Sequence, residues 1–173
     1  DANDQRAIGG PNLPTTTYGL TLGANYKGLS ISMLFQGSIG YSFAVQTTGI
    51  EPFLSQMQPI HLLRWTPETA TTAQFPRLTT LSGGINSSNI FPSDFYLINA
   101  RYLRLKTVEI GYQIPNTFLP LRINNARLYL SAYNLVTWTN YNLYQQDPEI
   151  ASNSAGDAYL NQRVVNLGLQ VGF

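Results

Sequence analysis

The side chains able to do chemistry are few and far apart. His61 is the only histidine and cysteine is absent, so thiolate chemistry and thiolate metal sites are excluded. With no local cluster of Asp or Glu around it, His61 reads as a structural loop residue and not as a zinc ligand. Asp147-Pro-Glu149 places two carboxylates in one loop, and with Asp157 they could join a calcium site. Asx-Pro is equally an ordinary turn former, which is the favoured reading. No serine is spaced with His61 and an acid as a nucleophile would require, and no Gly-rich stretch cradles a phosphate. The chain therefore reads as non-enzymatic, with no cofactor expected. What remains are aromatic side chains in polar stretches: Trp65, Phe95, Tyr96, Tyr141, Tyr144 and Tyr159. Rings of this kind stack on sugars or cover a protein partner, or else pack their own loops together. Arg64 beside Trp65 is the preferred contact or loop-anchoring pair, because a guanidinium can stack on an indole.

The elements that must position these residues follow from composition and periodicity. Hydrophobic residues make up 43% and aromatics 12% of the 173, but only 11% are charged, against about 25% in soluble domains. The net charge of +1 and the scattered basic residues carry no nucleic-acid footprint. Asp1-Ala-Asn-Asp-Gln-Arg6 lacks an apolar core, so it is not a signal peptide, and an exported protein would have its true N-terminus elsewhere. Gly28 to Ile50 carries no charge, yet Ser30, Ser32, Gln36, Ser38, Gly40, Ser42 and Gln46 interrupt it at strand spacing.

The last stretch shows the pattern most plainly. Val165, Leu167, Leu169, Val171 and Phe173 share one parity, while Asn166, Gly168, Gln170 and Gly172 share the other. The same alternation runs from Tyr18 to Tyr26, where tyrosines bracket Leu20, Leu22 and Ala24. Eight steps of about 3.3 Å, tilted about 40°, separate those rings by roughly 20 Å along a membrane normal, close to the roughly 25 Å apolar band of an outer-membrane barrel. Lys27-Gly28 predicts a tight hairpin into a long second strand, Leu29 to Val45. A third strand, Arg101 to Ile114, changes parity between Leu105 and Val108, which predicts either a bulge or a wall that leaves the membrane partway along. The fourth runs from Ala126 to Trp138. Stretches 1–16, 46–99 and 139–162 read as loops, with patchy helical spacing over Pro52 to Arg64, closed by Trp65-Thr-Pro67. Connections alternate short and long, as in barrels with tight periplasmic turns and extended outside loops. About five strands are too few to close a barrel, so this all-β chain is expected to be the C-terminal piece of a larger one. Tyr18, Tyr26, Tyr112 and Trp138 are the expected interface aromatics.

In this order the sequence resembles the C-terminal end of SusC/RagA-type TonB-dependent outer-membrane transporters. The resemblance is carried by Asp4-Gln-Arg-Ala-Ile-Gly-Gly-Pro-Asn12, Tyr18-Gly-Leu-Thr-Leu-Gly-Ala-Asn-Tyr-Lys-Gly-Leu29, Phe35-Gln-Gly-Ser38 and His61-Leu-Leu-Arg-Trp-Thr-Pro-Glu68. It continues through Ser93-Asp-Phe-Tyr96, Arg101 to Tyr112, Leu128-Tyr-Leu-Ser131 with Asn134-Leu135, Asp147-Pro-Glu149 and the strand ending in Phe173. One departure is Leu63, where the family often has a polar or acidic residue.

The resemblance implies a barrel of about 22 strands with an N-terminal plug, seated in the outer membrane of a Gram-negative bacterium. It implies energy coupling through TonB by a region outside this chain, a SusD-type surface lipoprotein as lid, and an oligosaccharide or a peptide as cargo. It also makes Leu167, Leu169, Val171 and Phe173 the signal read by the barrel-assembly machinery. Two alternatives stay open on the residues alone: a soluble β-rich carbohydrate-binding module, and an independent small barrel, which the odd strand count disfavours.

Overall fold

A computed structural model describes residues 6–44, 59–78, 93–120, 122–140, 147–149 and 161–173. They fall into two units. One is a sheet built from 16–39, 102–138 and 161–173; the other gathers 1–15, 40–101 and 139–160.

The sheet unit holds β1 (Thr16–Tyr26), β2 (Leu29–Ile39), β5 (Tyr102–Gln113), β6 (Asn125–Thr139) and β7 (Val164–Gly172), hydrogen-bonded in that order. β1 and β2 pair antiparallel without interruption from Thr16↔Ile39 to Tyr26↔Leu29. Lys27 (φ 46) and Gly28 (φ 86) both lie in the left-handed region, the two-residue turn whose twist matches the strands it joins.

β5 pairs with β2 from Leu29↔Tyr112 to Ser38↔Tyr102, and the register slips where Leu34 faces Thr107 but Phe35 faces Leu105. Lys106 is the extra residue. Because the slip is by one, Val108, Ile110 and Tyr112 stand on the same side as Leu103 and Leu105. Of the two readings of the parity change, the bulge is the one adopted, and the apolar face is continuous along the whole strand. β6 and β7 pair from Asn125↔Gly172 to Tyr133↔Val164. There Asn134 takes a positive φ of 52 and donates from Nδ2 to the Gln162 carbonyl, 3.1 Å away, which closes the β7 ladder.

The long second strand of the sequence reading is corrected: β2 stops at Ile39. Gly40 adopts φ 78, a left-handed conformation that breaks the extended run at this point. Ser42–Ala44 then forms β3, which pairs with β4 (Leu97–Asn99) in a separate two-stranded ladder of the second unit. Phe43, in phase with the apolar residues of β2, thus belongs to the separate β3 segment, and Val45 lies outside the described residues. In the same unit the amide of Ser42 donates to the Pro11 carbonyl at 2.9 Å, and Gly10 N–H donates to Ser42 Oγ at 2.7 Å. The helical spacing over Pro52 to Arg64 resolves into a 3₁₀ turn, Pro59–Leu63; residues 52–58 lie outside the described residues.

Candidate functional site

The sheet has two chemically distinct faces. On one stand Tyr18, Leu20, Leu22 and Tyr26 of β1, Leu29 and Ile39 of β2, and Ile110 and Tyr112 of β5. Leu128, Leu130 and Trp138 of β6, then Val165, Leu167 and Leu169 of β7, complete it, and all of these are exposed. The register sets residues of this one face side by side: Leu22↔Met33↔Val108 across β1, β2 and β5, and Leu128↔Leu169 and Leu130↔Leu167 across β6 and β7. Leu167 is 75% exposed. An uncovered apolar surface of this extent marks a face that another apolar phase covers, and in a strand wall that phase is lipid hydrocarbon when the sheet belongs to a transmembrane barrel. Tyr18 lies across Gly37 on this face, its hydroxyl donating to the Tyr102 carbonyl at 3.2 Å. Tyr18, Tyr26, Tyr112 and Trp138 are all exposed on it.

The opposite face is a polar ladder. Near the hairpin end, Arg127 Nη2 meets Glu109 Oε1 at 2.7 Å and Ser30 Oγ at 3.1 Å, and Ser30 donates to the Gly111 carbonyl at 3.2 Å. Three strands are joined by one guanidinium. It reaches across β5 because Gly111 has no side chain: a Cβ there would collide with the Arg127 guanidinium. Tyr129 lies flat over Gly168 in the same way, and the Arg127 cation stands 5.6 Å from the Tyr129 ring centre. Farther along the face, Arg104 is buried, 2% exposed, with Nε donating to Thr137 Oγ1 at 2.9 Å and its cation 5.8 Å from the Tyr102 ring. Periodicity alone finds which residues face this way, but not these contacts, since Ser30 and Arg127 are 97 positions apart.

In the second unit, the 3₁₀ turn leads into Arg64 and Trp65. Arg64 bridges to Phe75 in parallel fashion, and Trp65 N–H donates to the Phe75 carbonyl at 2.9 Å. Thr66 and Thr69 cap each other reciprocally, amide to hydroxyl, at 2.8 and 3.2 Å, with Pro67 at the first position of the turn between them. A backbone hydrogen bond, with help from the Thr66 side chain, holds the Glu68 carboxyl below its ordinary value. The Arg64 guanidinium donates to the His61 carbonyl at 3.0 Å. The cation–ring contacts among the described residues are those of Lys27 with Tyr26, Arg104 with Tyr102 and Arg127 with Tyr129. Trp65 is 40% and Phe95 54% exposed, whereas Tyr96 is buried. Phe95 meets Phe75 edge-on at 6.1 Å and Tyr96 edge-on at 4.9 Å. The structure therefore brings Phe95 and Tyr96 together, with Phe95 and Trp65 presenting surface and Tyr96 filling space beneath. Tyr141, Tyr144 and Tyr159 lie outside the described residues.

His61 is buried. Asp147 Oδ1 accepts the Glu149 amide at 2.9 Å, the Asx turn that Asx-Pro favours; Asp157 lies outside the described residues.

A five-stranded antiparallel sheet with a bare apolar face backed by a polar ladder is a stretch of transmembrane β-barrel wall. Comparison with known proteins makes this specific. No family model matches the sequence. TonB-dependent receptor P26 of Formosa agariphila is 29% identical over 187 residues, covering 99% of this chain and 18% of the relative. TonB-dependent receptor P3 of the same organism is 31% identical over 176 residues, covering 98% of this chain and 16% of the relative. Among solved structures, the RagAB peptide importer in its closed-closed state superimposes with a TM-score of 0.66 at 27% identity, over 96% of this chain and 18% of that one. Its open-open state gives 0.64 at 28% identity, over 93% and 17%. The chain is thus a segment of a SusC/RagA-type TonB-dependent receptor, spanning less than a fifth of the length of the relatives it matches.

Proposed function

We propose that this chain forms the C-terminal barrel wall, with two outside loops, of an outer-membrane importer of a Gram-negative bacterium that draws its energy through TonB. The observation that carries the reading is the apolar face that runs from β1 to β7, exposed on the flanking strands and half-buried across much of β2 and β5, kept in phase across β5 by the Lys106 bulge. The relatives' names support energy coupling through TonB, and the RagAB neighbours support a peptide as cargo, an oligosaccharide being the other class. A barrel of about 22 strands with a plug in its lumen completes the reading. Residues 46–99 and 139–162, in the reading's outside loops, carry Arg64, Trp65, Phe95, Tyr141 and Tyr144, and the exposed rings among them suit contact with a SusD-type lipoprotein lid. The apolar face disfavours a soluble carbohydrate-binding module. The test uses the full-length protein in its host: outer-membrane fractionation, then uptake of labelled peptides and oligosaccharides with and without a protonophore. Outer-membrane residence with protonophore-sensitive uptake is expected. A protein recovered folded and soluble without detergent overturns the reading.

A further inference from the structure

The connection between β5 and β6 is not an ordinary polar turn. Residues 114–123 read Ile-Pro-Asn-Thr-Phe-Leu-Pro-Leu-Arg-Ile, with Arg122 the only charged residue. Phe118 is 79% exposed, at the end of a 3₁₀ turn, Asn116–Phe118. The turn is firmly built. Phe118 N–H donates to the Pro115 carbonyl at 3.0 Å, Leu119 to Asn116 at 3.1 Å and Ile123 to Pro120 at 2.9 Å. Its base is tied to the sheet: Ile114 N–H donates to Ala126 at 2.9 Å, Asn124 to Gly172 at 2.8 Å, and Gln113 N–H to Gly28 at 2.8 Å. A hydrogen-bonded 3₁₀ turn ending in an exposed aromatic suggests a surface that covers it.

Three features identify that surface. The turn continues the apolar face: Tyr112 stands on it two residues before Ile114, and Phe173, also exposed, ends the strand that meets the turn's base. Its height fits, because two or three further residues of tilted strand descend about 5–8 Å below Tyr112, while one headgroup layer is about 5–8 Å thick. Its charge fits as well, since Arg122 and Lys27 of the neighbouring hairpin are basic and neither turn holds a carboxylate.

We propose that the β5–β6 turn is a membrane-surface anchor, resting in the phospholipid headgroup layer with the Phe118 ring among the upper acyl carbons and Arg122 and Lys27 on lipid phosphates. This rests on reading the sheet as membrane wall. An aromatic flanked by cations is the composition that partitions to that layer.

The test places an environment-sensitive fluorophore on Phe118→Cys in the full-length receptor, with this chain otherwise free of cysteine and any cysteine elsewhere replaced. The receptor is reconstituted in vesicles of phosphatidylethanolamine and phosphatidylglycerol. Thr117→Cys, exposed and one residue away, supplies the same reading if Phe118→Cys does not assemble. Lipids spin-labelled at an upper acyl carbon should quench the probe several-fold more than lipids labelled deep in the chain, and more than aqueous iodide. Iodide quenching equal to that of free dye overturns the anchor in favour of an aqueous turn. Protection from every quencher overturns it in favour of a protein cover. The same fluorophore on Leu167→Cys separates the two levels: it must respond most to the deep lipid label, and if it does not, the wall reading fails first.

Discussion

Leu22 occupies the middle of the β1 apolar face, four residues from Tyr18 and four from Tyr26, or about 10 Å along the normal from either interface. A cation there must be held at the bilayer midplane, at a cost of about 2–4 kcal/mol, whereas at interface depth the cost is about 0–1 kcal/mol. Leu22→Arg should therefore lower the equilibrium constant for assembly by roughly thirty- to several-hundred-fold at 1.4 kcal/mol per tenfold, and Tyr26→Arg by little. Thr21→Arg is the matched control. It sits at the same depth but pairs with Leu34 on the polar side of the sheet, so its effect should be small. Denaturant titration of the full-length receptor into liposomes reads all three. Equal losses for Leu22→Arg and Thr21→Arg would refute the assignment of faces, and a larger loss at Tyr26 than at Leu22 would refute the assignment of depth.

Deleting Lys106 removes the bulge and turns Leu103 and Leu105 to the polar side, so the deletion should abolish outer-membrane assembly while Lys106→Ala is tolerated; immunoblots of membrane fractions distinguish them. Gly111→Val obliges the Arg127 guanidinium, the far end of a flexible side chain, to swing off Glu109 and Ser30, so it should cost about as much as losing that partly exposed ion pair, about 0–1 kcal/mol. Glu109→Gln removes the same ion pair and should cost a similar amount in the liposome titration; a several-fold larger loss for Gly111→Val would show that the guanidinium cannot move aside. Phe173→Ser should lower the amount of receptor in the outer membrane more than transport per assembled molecule, and unchanged levels would count against an assembly role for the terminal aromatic.

What the sequence reveals here tracks the range of each signal. β1 was legible almost to the residue because every second side chain from Tyr18 to Tyr26 repeats the same choice. In β5 the parity change marked a bulge without proving it, since only the partner strand shows that Phe35 faces Leu105 while Leu34 faces Thr107. The end of β2 was misplaced because apolar residues beyond Gly40 keep the same spacing, and a positive φ leaves no trace in periodicity. Tyr96 could not be told from Trp65 or Phe95, as the same ring serves burial or contact. The Ser30–Arg127–Glu109 link was invisible for a different reason: it exists only once three strands are in register.

That dependence on register bears on how the wall stands at all. Among the described residues, β1 and β7 each have one hydrogen-bonded neighbour in the sheet, leaving a row of backbone N–H and C=O groups along both edges. In hydrocarbon each such group left unsatisfied costs several kcal/mol, so even one open edge would outweigh the roughly 5–15 kcal/mol that stabilises a typical domain. The apolar face demands a membrane, and the membrane in turn demands closed edges. The strands that flank β1 and β7 are therefore required for this sheet's own stability. Perturbations along β7 should weaken the whole barrel, and not merely the strand that carries them.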